Sequence, residues 1–124
     1  MNKLFYLSSC STCKKIIKQW SLNQSISLID VKKNSIDEKA LKELFEITNS
    51  YEVLFNKRAQ LLKKLNLNFS ELKEKDFKKL ILTHYSFLKR PVLLLNSKIY
   101  IGNSKKNVGE AEIELNKKQF NLFF

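Results

Sequence analysis

Ser8-Ser9-Cys10-Ser11-Thr12-Cys13-Lys14-Lys15 follows directly on the apolar run Leu4-Phe5-Tyr6-Leu7 and precedes a segment with one apolar face. An apolar strand that empties into a short Ser/Thr loop and then a helix sets Cys10 beside the helix N-terminus, where unpaired N–H groups and the helix dipole favour an anion. A thiol so placed becomes a thiolate more readily, and the thiolate is the nucleophile. Cys13 stands three residues on, one turn away on the same helical face, within reach of an oxidised Cys10 for disulfide closure. Cys10 then needs a scaffold and a partner charge from the rest of the chain.

Outward from this junction, residues 3–7 read as a buried strand. Cys13, Ile16, Ile17 and Trp20 recur at i, i+3, i+4 and i+7, which predicts a helix ending near Asn23. Residues 27–31 form a short second strand, and a strand, helix, strand order of this length gives a right-handed parallel crossover. Ser35-Ile36-Asp37-Glu38 has the form of a capping box with Ser35 as N-cap, and Leu41, Leu44, Phe45 and Thr48 continue that helix's apolar face until Asn49-Ser50. From 51 to 88 there is no strand-like alternation. Two further helical patterns occur there, at 58–65 and 75–84, separated by residues 66–70. Arg90-Pro91 then opens Val92-Leu93-Leu94-Leu95, a turn at Asn96-Ser97 and a partner run Ile99-Tyr100-Ile101, an antiparallel hairpin with proline at the first position of a strand. A weaker helix spans about 104–115, spoiled by Gly109, and residues 116–124 receive no element.

At 124 residues the chain can bury a core without staples. Two cysteines do not make a disulfide framework, no secretory leader opens the chain, and no apolar stretch approaches the eighteen or so residues of a membrane span, so a soluble cytoplasmic protein is expected. The net charge of +11 comes from basic residues scattered through every segment among Glu and Asn, the pattern of a compositional bias on a solvated surface. Arg is more informative. In a chain that otherwise writes Lys, Arg58 and Arg90 are the only arginines, and what Arg adds over Lys is a rigid planar fork that binds an oxyanion bidentately. Two cysteines and one distant histidine do not supply four ligands, so no metal site is expected; His84 falls on the apolar face of Phe77, Leu80 and Ile81 as a packed or helix-ending residue.

The order β-α-β, helices, β-β-α, with a cysteine pair at the first strand-to-helix junction and a proline just before the third strand, is a thioredoxin-like arrangement. It predicts an α/β, three-layer fold with a mixed four-stranded sheet and an inserted helical lobe at about 35–88. A single domain over 1–124 is expected, with a tail at 116–124.

Cys10-Ser11-Thr12-Cys13-Lys14-Lys15 after the first strand, Asn56-Lys57-Arg58 before Leu61-Leu62-Lys63-Lys64-Leu65-Asn66-Leu67, and Leu88-Lys89-Arg90-Pro91-Val92 come in this order and spacing. In these three stretches the chain resembles the ArsC/Spx family, which comprises arsenate reductases, YffB-like relatives and Spx-type transcription regulators, over residues 3–115. The resemblance implies Cys10 as the redox nucleophile, Arg58 and Arg90 lining its pocket, and Pro91 in cis beside the cysteines. In the arsenate reductases the thiolate attacks arsenate, arginines hold the oxyanion, and glutathione with glutaredoxin completes reduction to arsenite; thioredoxin is the other candidate reductant here. Cys13, which the well-studied reductases generally lack and the Spx-type and some unassigned members carry, is expected to be the resolving thiol. Ser8, Ser9, Ser11 and Thr12 either hydrogen-bond the thiolate or cap the helix, and Ser9, Ser11, Thr12 and Pro91 are the candidate substrate-binding residues. Those reductases carry a third pocket arginine where this chain has Ile101-Gly102-Asn103, and the regulators carry a contact glycine where it has Ser50. The expectation is a monomeric thiol oxidoreductase of arsenate reductase type. The alternatives are an Spx-like redox-sensing regulator that binds the RNA polymerase α subunit, and a reductase of some other small thiol adduct.

Overall fold

In a computed structural model, which describes residues 2–121 and their side chains as far as 117, the first apolar run forms β1 (Lys3–Tyr6), with Leu4 and Phe5 buried. The predicted crossover follows as α1 (Ser11–Trp20) and β2 (Ser27–Asp30), which runs parallel to β1 with Lys3 opposite Ser27 and Tyr6 opposite Asp30. Ser21 ends α1 in the left-handed conformation, two residues short of Asn23. β3 (Val92–Leu95) pairs antiparallel with β1, and β4 (Lys98–Ile101) antiparallel with β3. The sheet order is β2-β1-β3-β4, so it is mixed and β3 is internal. All of β3 is buried, which accounts for its unbroken Val-Leu-Leu-Leu. Asn96 and Ser97 both have positive φ, 52° and 64°, the primed geometry that matches the twist of a two-residue hairpin.

The last helix, α5 (Lys105–Asn121), begins at a cap: the Asn107 N–H donates to Ser104 Oγ (3.1 Å). It runs past 115, where the sequence pattern had faded, while Leu122, Phe123 and Phe124 of the unassigned tail lie outside the described residues. Its buried face, Val108, Ala111 and Leu115, meets Ile16 and Trp20 of α1 over Leu4, Leu93 and Leu95 of the sheet. Trp20 Nε1 donates to the Val108 carbonyl at 3.0 Å, so the one polar atom of this large side chain is satisfied inside the core. Gly109, next along, lies within the helix, and a Cβ there would meet nothing within 4 Å. Gly109→Ala should therefore raise stability by about 0.5–1 kcal/mol through lower unfolded-state entropy. A higher urea midpoint at unchanged slope would show it; a lower midpoint would mean the position does more than continue the helix.

The chain divides into two compact units. The sheet with α1 and α5 is one, built from the chain up to Asp30 and from Arg90 on; the other is Val31–Lys89. The second unit contains α2 (Glu38–Thr48), α3 (Gln60–Lys64) and α4 (Glu74–Thr83). Ser35 is not the cap of α2. Asp37 is, its Oδ1 accepting from the Ala40 N–H at 2.8 Å, so Glu38 becomes the first helical residue and cannot fill the return position of a capping box. α3 is shorter than its pattern because the Arg58 and Ala59 N–H groups turn back to Asn56, through Oδ1 (3.2 Å) and the carbonyl (3.2 Å). Phe55 anchors this unit's aromatic core, with ring centroids 4.8 Å from Phe77 and 5.5 Å from Phe87. His84 ends α4 and caps the next turn, its Nδ1 accepting from the Ser86 N–H at 3.1 Å. No helix among the described residues is long and apolar enough to cross a membrane.

Candidate redox site

Beyond Tyr6 the chain leaves β1 through buried Leu7 and a turn at Ser8 and Ser9, and the Cys10 N–H donates back to the Leu7 carbonyl at 3.0 Å. Cys10 is thereby the N-cap of α1, with extended backbone (φ −94°, ψ 113°), and its carbonyl accepts the first helical bond from Lys14 at 3.1 Å. Ser11, Thr12 and Cys13 follow as the first three helical residues. An N-cap side chain ordinarily supplies an oxygen to the N–H groups of the second and third of these. Here the side chain in that position is a thiol. Burial pushes the Cys10 thiol up, but the Cys13 N–H and thiol, the Thr12 N–H and the Arg90 charge together outweigh it and leave the group below its ordinary value.

Cys13 has the opposite environment. It is wholly buried on the inner face of α1. Burial pushes its thiol up to about 11, with the neighbouring Cys10 adding to the effect through a hydrogen bond and its charge. Two thiols one helical turn apart are thus separated in acidity by position alone. Both are free thiols in this structure.

Arg90, half-buried, is where the chain re-enters the sheet unit, and its charge lowers both thiols. The Arg90-Pro91 peptide is cis, and Pro91 is buried at the start of β3. The Pro91 carbonyl accepts from the Gly102 N–H at 2.8 Å; Gly102 takes φ +90°, a backbone that any other residue would occupy only under strain, to close the hairpin beside the proline. Among the candidate polar residues Ser9, Ser11 and Thr12 are exposed, whereas Ser8 is half-buried. The structure therefore brings Cys10, Cys13, Thr12 and Arg90 together. Arg58 is exposed in the second unit, its backbone set by Asn56. No group of three or more His, Cys, Asp or Glu residues among those described could hold a metal ion.

One residue of this neighbourhood escaped the sequence reading. The Ser8 N–H donates to Oδ1 of Asp30, the buried last residue of β2 (3.2 Å). The available signal was an Asp set between the apolar residues Ile29 and Val31.

A four-stranded mixed sheet with an N-cap cysteine at its first strand-to-helix junction, a second cysteine one turn on and a cis X-Pro bond opening an antiparallel strand defines a thioredoxin-like α/β protein with a paired thiol. The chain belongs to the ArsC family, whose model matches residues 5–111. It is 28% identical over 108 residues to the global transcriptional regulator Spx 2 of Bacillus cereus, covering 85% of this chain and 82% of that protein. It is 29% identical over 114 residues to the regulatory protein MgsR of Bacillus subtilis, covering 90% and 86%. Among solved structures, an arsenate reductase from Vibrio cholerae superposes with a TM-score of 0.71 at 20% identity, over 88% of this chain and 95% of that one.

Proposed function

We propose that the protein is a cytoplasmic thiol oxidoreductase of arsenate reductase type, acting through Cys10. The observation that carries this reading is Cys10 at the N-cap of α1 with Cys13 buried three residues on, an arrangement that lowers the first thiol and raises the second. The Cys10 thiolate attacks the arsenic of arsenate, forming a sulfur–arsenic bond as one arsenic–oxygen bond breaks, and the departing oxygen takes a proton from solvent and leaves as water. Arg90 holds the oxyanion, and Arg58 is the second candidate for that role. Cys13 then gives up its proton to an oxygen of the arsenic group and attacks the Cys10 sulfur. The sulfur–arsenic bond breaks with its electron pair on arsenic, arsenite leaves, and the Cys10–Cys13 disulfide remains. Glutathione with glutaredoxin, or thioredoxin, returns the two electrons.

A second reading, an Spx-like redox switch that binds the RNA polymerase α subunit, is favoured by the regulators among the curated relatives. Arsenate-dependent turnover, assayed with glutathione/glutaredoxin and with thioredoxin side by side, tests the first. Absence of turnover with both reductants, together with retention of the α subunit by the oxidised protein alone, would replace it with the second. On either reading mild peroxide should take the free thiols from two to none in a monomer. An intermolecular dimer, or a stable sulfenic acid at Cys10, would exclude Cys13 as the resolving thiol.

A further inference from the structure

Asp30 is the charged side chain that the fold buries, 6% exposed among the described residues, and a carboxyl is costly to bury unless it is hydrogen-bonded. It closes β2, where the parallel pairing of β1 and β2 ends at Tyr6 opposite Asp30. Two residues later the Ser8 N–H meets Oδ1 of Asp30 rather than a backbone carbonyl of a longer ladder. The Cys10 N–H turns back to Leu7. The three residues from Ser8 to Cys10 are therefore pinned at both ends, at entry by a side chain of the neighbouring strand and at exit by the turn's own backbone. Ser9 between them is exposed.

We propose that Asp30 is a positioning residue for Cys10: by accepting the Ser8 N–H it stops the strand and holds the turn that places Cys10 at the N-cap of α1, beside the start of that helix. The proposal rests on Cys10 being the reactive thiol of the reading above. The part played by Asp30 is that of an acceptor oxygen, so Asn serves in its place and Ala does not. Without the acceptor the turn loosens, the alignment of sulfur with the helix start is lost, and the thiolate loses part of its stabilisation.

The test is the pH profile of Cys10 alkylation, read by peptide mass spectrometry, in wild type, Asp30→Asn and Asp30→Ala. Asp30→Asn should stay within about twofold of wild type, and Asp30→Ala should react about three- to tenfold more slowly at pH 7 with its profile displaced upward, as loss of one ordinary hydrogen bond implies. A profile of Asp30→Ala equal to wild type overturns the proposal, as does Asp30→Asn as slow as Asp30→Ala. Wild-type Cys10 no faster than a free cysteine overturns both this proposal and the redox reading, whereas a fast wild type with an equally fast Asp30→Ala overturns this proposal alone. Should Asp30→Ala not fold, amide exchange in the wild type decides: Ser8 should be protected and Ser9 not, and an unprotected Ser8 amide overturns the proposal.

Discussion

Iodoacetamide at pH 7 is expected to modify Cys10 and leave Cys13 untouched, with a rate ratio of at least a hundredfold. A thiol whose acidity is set near 11 is thiolate in only about one molecule in ten thousand at that pH, while one held below the ordinary value of 9.0 exceeds about one per cent. Burial of Cys13 further blocks the reagent. The two profiles should also separate: Cys10 labelling rises through a midpoint below 9, and Cys13 labelling only toward about 11. The same displacement bears on folding. An unfolded cysteine releases its proton near 9 and folded Cys13 near 11, so its contribution is fully present below pH 9 and is lost as pH rises through about 11. By linkage that is about 2–3 kcal/mol. Comparable labelling of the two cysteines at pH 7, or a Cys10 midpoint at or above 9, would reverse the assignment of nucleophile.

Arg90→Lys is expected to lower oxyanion-dependent turnover by roughly ten- to a hundredfold while leaving the Cys10 labelling profile nearly where it was. The two readouts separate because Arg90 has two parts to play. Its charge favours the Cys10 thiolate, and Lys keeps the charge. Its planar fork would hold an oxyanion by two parallel hydrogen bonds, and Lys offers one well-aimed contact, so about 1–3 kcal/mol is lost at about 1.4 kcal/mol per tenfold. Stability should barely move, and Lys89→Arg should not restore the loss when combined with Arg90→Lys. Turnover within twofold of wild type would remove Arg90 from oxyanion binding and leave the cysteine pair as the functional core, which favours the redox switch.

Much of the sheet unit was legible because its signals are local. Cys13, Ile16 and Trp20 lie on the buried face at helical spacing, and the hairpin declares itself by Asn96-Ser97 between apolar runs. Cys10 at the helix start follows from strand length alone. The start of α2 was harder, since Ser35 and Asp37 are both good caps two residues apart, and which one wins depends on the N–H that each can reach. The far end of α5 was hidden because Asn116-Lys117-Lys118-Gln119, after Leu115, offers no apolar residue to continue the stripe. Asp30 stood out between Ile29 and Val31, but its role was illegible for a different reason. Its partner is the backbone of a residue 22 positions away, and no side-chain pattern encodes a backbone donor.

The discontinuity of the sheet unit has a consequence during synthesis. Val31–Lys89 is one unbroken stretch with its own aromatic core, whereas β1 must wait for β3, Lys3 lying opposite Leu94. Cys10 and Cys13 therefore leave the ribosome well before Arg90 and the strand that completes their scaffold. At about 5–20 residues per second the interval is roughly 5–15 s. Throughout it Cys10 lacks the Arg90 charge and Cys13 lacks the strand that completes the core around it, so a nascent chain halted before β3 would carry the motif without its full setting.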